Sequence, residues 1–458
     1  RDQPRSRGLG DVYKRQAKYD AEGIGGILNI VTVGSGFEGY TATFRGNANN
    51  NGVGAGTYAM VKQGKLTVSA NYNYNYNNSP RSYSDSYREN YEPDKENEKY
   101  LESESSSKSK GNFQYGNLEA SYEIDTLRLL TVAFGMYGSS DKSNSGGNTI
   151  MHGADRQDFA YRYRTDNHGK GSWYSINGNI DYQRTSRKNK ERMITFSYKI
   201  NSQPQTNDSY NTYLDIEPDE NKLDIIKELS LKNFHSDGKT NTMEQTFQVD
   251  YTTPIGKLHT IETGAKYIFR RNSSDNRFYE AEGASENYAY NENRSSEYRH
   301  LNHILSAYAG YTLKYKGFTF KPGLRYEQTI QEVKYLVGPG ENFDSNFSDL
   351  VPSVSLGIKL GKTQNLRGGY NMRIWRPGIW NLNPYFDNQN PMFISQGNPN
   401  LKSEKSHSFD LSYSNFTAKF NVNLSLRHSF NNNGIERVSH LAVSYTHLRA
   451  HETEADLV

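Results

Sequence analysis

Residues Tyr174–Tyr182 read YSINGNIDY. Tyr174, Ile176, Gly178, Ile180 and Tyr182 alternate with Ser175, Asn177, Asn179 and Asp181. Successive side chains of a strand point to opposite faces, so this stretch has one apolar and one polar face. The pattern recurs on both sides. Leu118, Ala120, Tyr122 and Ile124 alternate with Glu119, Ser121 and Glu123. Ile194, Phe196, Tyr198 and Ile200 alternate with Thr195, Ser197 and Lys199. Pro352, Val354, Leu356, Ile358 and Leu360 alternate with Ser353, Ser355, Gly357 and Lys359.

The connections alternate as well. Short turns are expected near Gln63–Lys65, Asp125–Thr126, Ser186–Lys190, Pro254–Lys257, Lys316–Gly317, Gly361–Thr363 and Ser414–Thr417. Long polar segments lie between them, near Asn78–Lys110, Ser140–Gly171, Gln203–Thr240, Asn272–His300, Gly338–Ser348 and Arg376–Ser403. Short turns on one side and long loops on the other are the mark of an outer-membrane barrel. A soluble β-sandwich has no reason for one-sided loops. About fifteen strands are expected from Tyr40 onward, many longer than the roughly ten residues of a tilted membrane crossing.

Composition agrees. The chain has 458 residues, a formal net charge of +3, 34% hydrophobic residues and a mean hydropathy of -0.90. That is far too polar for a helical membrane protein, which needs runs of roughly 20 apolar residues. The 36 Tyr and 20 Phe argue against simple disorder. A barrel reconciles the two, because only alternate residues face lipid and aromatic girdles mark the interfaces. The absence of cysteine removes disulfides and thiol chemistry. The near-neutral charge argues against nucleic acid as a partner.

The two ends differ from the rest. RDQPRSRGLGDVYKRQ (1–16) and a closing stretch ending VSYTHLRAHETEADLV (442–458) resemble translated adapter read-through at the ends of metagenome-assembled genes. They are expected to be a non-native leader and tail. No signal peptide opens the chain, so the native start is expected upstream. His447 and His451 are spaced i,i+4, but Leu448 stands where the metal-binding HExxH pattern needs Glu.

Residues Ala17–Thr32 read AKYDAEGIGGILNIVT. Asp20, Ala21, Glu22 and Gly23 suit a tight turn, and Gly23, Gly25 and Gly26 allow close backbone approach. Ile27, Leu28, Ile30 and Val31 then form a short apolar strand carrying one polar residue, Asn29. A nucleotide cradle fits poorly, because the full glycine fingerprint and a following helix are lacking. This stretch closely resembles the end of the plug domain in TonB-dependent receptors. There an acidic-Gly-x-Gly-Gly-x-x-Asn-Ile segment precedes the first barrel strand. Asp20, Glu22, Gly23, Gly25, Gly26 and Asn29 carry the match.

Residues Arg373–Tyr413 read RIWRPGIWNLNPYFDNQNPMFISQGNPNLKSEKSHSFDLSY. They are similar to the outer-membrane β-barrel family that accompanies such plugs, with its Arg-Pro, Asn-Pro and Gly-Asn-Pro-x-Leu-x-x-Glu segments. Pro377, Pro384, Pro391 and Pro399 stiffen the loop, and Gly378 and Gly397 permit tight bends. Trp375, Trp380, Tyr385 and Phe386 form a candidate aromatic patch, with amides at Asn381, Asn383 and Gln389. One reading is a girdle or loop-packing cluster; the other is a stacking surface for a sugar, haem or siderophore-like ligand.

Together these resemblances imply an all-β, transmembrane antiparallel barrel of about 22 strands when complete, about fifteen of them here, with the tail end of a plug domain. The expected divisions are 17–36 for the plug end and 37–441 for an incomplete barrel. They also imply energised uptake of a small-molecule, glycan or metal-chelate ligand. The implied partners are outer-membrane lipid, an inner-membrane TonB energy-coupling complex engaged through upstream sequence, and a surface lipoprotein. No cofactor is implied. The rivals are a non-energised structural or assembly barrel and an outer-membrane hydrolase.

Catalytic chemistry finds little support. Asp85, Glu89, Glu92, Asp94, Glu96 and Glu98 lie in a mixed-charge run that reads as a solvated loop. Asp141–Gly146 lacks the acidic spacing of a calcium loop. His300 and His303 lie near an expected loop-to-strand edge; one reading is a shared ligand, and the preferred one is a rim position with solvated imidazoles. No nucleophile elbow occurs. The protein is therefore not expected to be an enzyme.

Overall fold

The computed structural model describes residues 38–438 except 91–98, 155, 157–158, 219–230, 282–286, 339, 341, 383–386, 391–392, 399 and 418. The plug-like segment and both expected non-native ends lie outside the described residues.

The chain forms one antiparallel 17-stranded sheet. In order the strands are β1 (Gly39–Asn49), β2 (Gly52–Gln63), β3 (Leu66–Asn78), β4 (Ser82–Glu89), β5 (Tyr100–Asp125), β6 (Arg128–His152) and β7 (Phe159–Thr185). There follow β8 (Met193–Pro218), β9 (Asn233–Ile255), β10 (His259–Ala281), β11 (Ala289–Tyr290), β12 (Ser296–Tyr315), β13 (Phe318–Val337), β14 (Phe343–Lys359) and β15 (Gln364–Trp375). A loop then carries a short helix α1 (Ile379–Leu382) and a small separate hairpin, β16 (Asp387–Asn390) and β17 (Phe393–Ser395). The sheet resumes with β18 (Glu404–Phe416) and β19 (Asn421–Asn432).

Each pass pairs with the next in sequence. β3 and β4 both pair with β5, and β11 and β12 both pair with β10, so each of these two couples is one interrupted pass. The 17 strands therefore make about fifteen passes, as the alternation predicts. No register joins β1 to β19 among the described residues, and the sheet is not closed.

The short turns fall where expected. Lys316 and Gly317 both have positive φ (43° and 85°), the two-residue geometry that matches the twist of a hairpin. Most of the expected long loops, by contrast, are strand. β5 to β8 run 26, 25, 27 and 26 residues, far beyond the roughly ten needed to cross the bilayer. The segment Ser103–Lys110, within an expected solvated loop, is paired residue by residue with β6. Asp141–Gly146 is likewise ladder, not a calcium loop. Above the membrane both faces meet water, so the apolar alternation disappears while the backbone ladder continues.

The sheet is inverted relative to a soluble protein. Aligned across ten passes stand Tyr40, Val61, Val68, Ala120, Val132, Ile180, Tyr198, Phe247, Tyr267 and Leu305. This continuous apolar row faces outward, with Ile180 47% and Phe247 49% exposed. The opposite face holds the buried polar groups, among them Ser175, Thr246, His300, Asn302, Arg325, Glu327 and Asp349. Exposed apolar and buried polar residues are what a barrel in lipid requires. No helix among the described residues is long and apolar enough to cross a membrane.

Candidate functional site

The polar face has two contrasting regions. The first lies on β12–β14 and is built around a buried charge cluster. Arg325, Glu327, Thr329 and Gln331 occupy successive inward positions of β13, and Ser306 stands beside them on β12. The Arg325 Nε donates to Glu327, and its Nη2 donates to Ser306 Oγ at 2.9 Å. Arg376, just past the end of β15, reaches the same carboxylate with its Nη2 and donates from Nε to Thr329 Oγ1 at 3.1 Å. Glu327 thus bridges two guanidiniums, with Arg325 1% and Glu327 2% exposed. Charges so deeply buried are sustained only by mutual pairing and hydrogen bonds.

This cluster fixes the start of the 376–403 loop against the strand wall. A second anchor fixes its end: Ser403 Oγ donates to Asp349 Oδ2 at 3.2 Å, and Lys405 Nζ lies 3.4 Å from Asp349 Oδ1. Between the anchors, the Asn398 N–H donates to the Asn381 carbonyl at 2.7 Å, and Leu382 is fully buried. The loop is therefore tied down, and Val351, Met372 and Ile374 form a buried apolar cluster at its root.

A little farther along this wall, Tyr308 of β12 crosses over β10 to donate to Asp250 of β9. Gly264 makes the crossing possible. A Cβ there would sit 2.5 Å from both the Tyr308 Oη and the Val249 carbonyl oxygen.

The second region lies on β5–β7. Phe113, Tyr115, Tyr137 and Trp173 fall on the polar face, because they have the opposite parity to Leu118, Val132 and Ile180. Trp173 packs 6.4 Å from Phe113 and 5.8 Å, edge-on, from Tyr137, measured between ring centroids. All four rings remain exposed, Trp173 by 41%. Asn75 and Gln205 share the register row of Phe113 and Trp173. Aromatic faces beside amides offer stacking and hydrogen bonds to a polar ring-bearing solute. The sequence reading missed this group. The available signal was the switch of parity within β5, from Phe113 and Tyr115 to Leu118, Ala120 and Tyr122.

The residues singled out from sequence fare unevenly. Trp375 ends β15 and is exposed, on the same face as Arg373. Asn381 lies in α1, as does the backbone of Trp380. Asn383, Tyr385 and Phe386 lie outside the described residues, as do Asp20, Glu22, Gly23, Gly25, Gly26 and Asn29 of the plug-like motif. His300 and His303 do not come together. Three residues apart on a strand, they take opposite faces. His300 is buried against Gln331 and Asn272, whereas His303 meets the Tyr267 hydroxyl on the apolar side at 2.7 Å. Both lie within β12, not at a loop edge.

A meander of long strands with an apolar exterior and a polar wall defines an outer-membrane barrel. The profile of the outer membrane protein beta-barrel family matches residues 183–448, more than half of the chain, and the protein belongs to that family. Its place is the outer membrane. A comparison with curated proteins finds no match. Among solved structures, the chain is similar to the siderophore receptor PiuA from Acinetobacter baumannii, at 13% identity and a TM-score of 0.51, over 90% of this chain and 60% of that one. It is similar to the copper transporter OprC at 12% identity and a TM-score of 0.53, over 86% of this chain and 54% of that one. It is also similar to the Serratia marcescens hemophore receptor HasR, solved with its hemophore HasA and heme. That match has 10% identity and a TM-score of 0.51, over 90% of this chain and 59% of that one. These likenesses concern the fold. The chain spans somewhat over half the length of each.

Proposed function

We propose that this protein is a TonB-dependent outer-membrane receptor that takes up a scarce or bulky solute by energised transport. The observation that carries the reading is the sequence Asp20-Ala21-Glu22-Gly23-Ile24-Gly25-Gly26, which resembles a plug end and is followed closely by the first barrel strand at Gly39. On this reading residues 17–36 close a plug and residues 37–441 belong to the barrel, while 1–16 and 442–458 are foreign to the natural gene. An inner-membrane energy-coupling complex engages sequence upstream of Ala17, and a surface lipoprotein is a candidate lid.

Solute contact is assigned to two surfaces. One is the anchored loop, through Trp375, Trp380, Asn381, Asn383 and Tyr385. The other is the open aromatic group of Phe113, Tyr115, Tyr137 and Trp173. Both suit a glycan, haem or metal chelate with flat or ring-shaped faces.

Reading the natural gene upstream of Ala17 tests the assignment first. A signal sequence, a coupling box and a plug leading into AKYDAEG are expected. In cells carrying that full gene, uptake of a ferric siderophore, haem or oligosaccharide should stop when the proton gradient is collapsed. Uptake that persists without the gradient would leave a passive barrel. In correctly assembled barrel, Trp375→Ala with Trp380→Ala should abolish binding of the transported probe, and unchanged affinity would remove the loop from the solute path.

A further inference from the structure

The outward face of β5–β7 carries a strongly charged patch that solute uptake does not use. Lys110 on β5, Lys142 on β6 and Lys170 on β7 stand directly opposite one another in a single register row. Lys108, on the next outward position of β5, stands beside Asn144 and, through it, His168. All four lysines are exposed. Neighbouring strands lie about 4.8 Å apart, so three lysine side chains leave the sheet from adjacent positions of one row. Like charges placed directly opposite destabilise a sheet. Lys170 is relieved by Asp208 at 2.9 Å. Lys108, Lys110 and Lys142 have no ion-pair partner among the described residues.

The height of the patch is informative. On β7 the outward apolar band runs Tyr174, Ile176, Gly178, Ile180 and Tyr182, centred on Gly178. Lys170 is eight residues above that centre, about 26 Å along the strand. At a tilt of about 40° this is a rise of about 20 Å, the level of the lipid headgroups rather than the hydrocarbon. Lys142 on β6 and Lys110 on β5 share its tilted row and so stand within about 6 Å of that height. Just below runs a row of hydrogen-bonding side chains: Tyr76, Asn112, Ser140, Ser172 and Thr206. Within it Asn112 donates to Ser140 at 2.8 Å, and the Ser172 and Thr206 hydroxyls are 2.8 Å apart.

We propose that Lys108, Lys110 and Lys142, supported by Lys170, bind the phosphate of an anionic lipid headgroup in the outer leaflet. The patch is continuous with the lipid-facing band, so the ligand's acyl chains lie along the apolar strands while its phosphate meets the lysines. The hydroxyl and amide row beneath serves the headgroup's own oxygens. A phosphate accepts charge-assisted hydrogen bonds from several ammonium groups at once and removes their mutual repulsion. The inference rests on the outer-membrane placement and is independent of energised uptake.

The test is lipid retention by the purified, refolded chain in neutral detergent, counted by native mass spectrometry. The probes are a diphosphorylated glucosamine-disaccharide lipid, its dephosphorylated form and phosphatidylcholine. The phosphorylated lipid should be retained at least about tenfold better than the other two, given a contribution from each lysine near an anionic surface. Lys108→Gln, Lys110→Gln and Lys142→Gln combined should remove that preference with unchanged strand content by circular dichroism. The corresponding Arg replacements should keep it. Equal retention by wild type and the Gln variant would overturn the proposal. So would full displacement of the lipid by millimolar inorganic phosphate, which would make this a free-anion site.

Discussion

Strands β12–β15 and β5–β7 share one alternation, yet their polar faces end in opposite conditions. On β12–β15 buried inward residues include Arg325, Glu327, Thr329, Gln331, Asp349 and Arg373. On β5–β7 the corresponding face is open around Phe113, Tyr115, Tyr137 and Trp173, all exposed. Strand sequence alone does not set this difference. A covering element does: the 376–403 loop is drawn onto the first wall by Arg376 on Glu327 and by Ser403 on Asp349. An inward position is therefore structural where the chain covers it and free for a ligand where it does not.

Replacement of Glu327 attacks the covered wall hardest. Glu327→Ala leaves Arg325 and Arg376 without their shared carboxylate and should cost about 3–5 kcal/mol. Urea unfolding in detergent would measure the loss, and limited proteolysis should begin to cut within residues 376–403. An intact loop with unchanged stability would break the account of what covers this wall. Gly264→Val should cost less, about 1–3 kcal/mol by overpacking, because the Val249 carbonyl cannot move aside for a Cβ. The unfolding midpoint should fall, and a Tyr308→Phe background should recover part of the loss. In the Lys316–Gly317 turn, Gly317→Ala should cost about 1 kcal/mol through its positive φ. Trp173→Ala, on the open wall, should change stability least, by about 0.5 kcal/mol as at other exposed sites, while weakening solute binding. A large stability loss there would mean that this wall is packed after all.

Much of this was legible beforehand. The alternation in Tyr174–Tyr182 and its counterparts gave strand, face and number of passes, because lipid on one side imposes a period-2 signal. The turns at Gly64, Gly256 and Gly317 were readable from their glycines. The long upper extensions were not. Residues such as Ser103–Lys110 are polar on both faces, and polarity without period looks like loop. The anchoring of Arg376 was also hidden, since an Arg-Pro pair in a loop says nothing about a carboxylate 49 residues earlier. Phe113 and Trp173 were absorbed into the general aromatic count, because only their parity set them apart.

The strictly sequential pairing of the passes has an evolutionary consequence. Every pass but the first and last is held by the passes before and after it in the chain, so a hairpin can be copied or lost as a unit and its neighbours re-paired. A single pass cannot. Its gain would exchange every later surface loop with every later inner turn, sending the 376–403 segment to the wrong side of the membrane. Relatives that differ in girth should therefore differ by whole hairpins, with the cut falling at two-residue turns such as Lys316–Gly317.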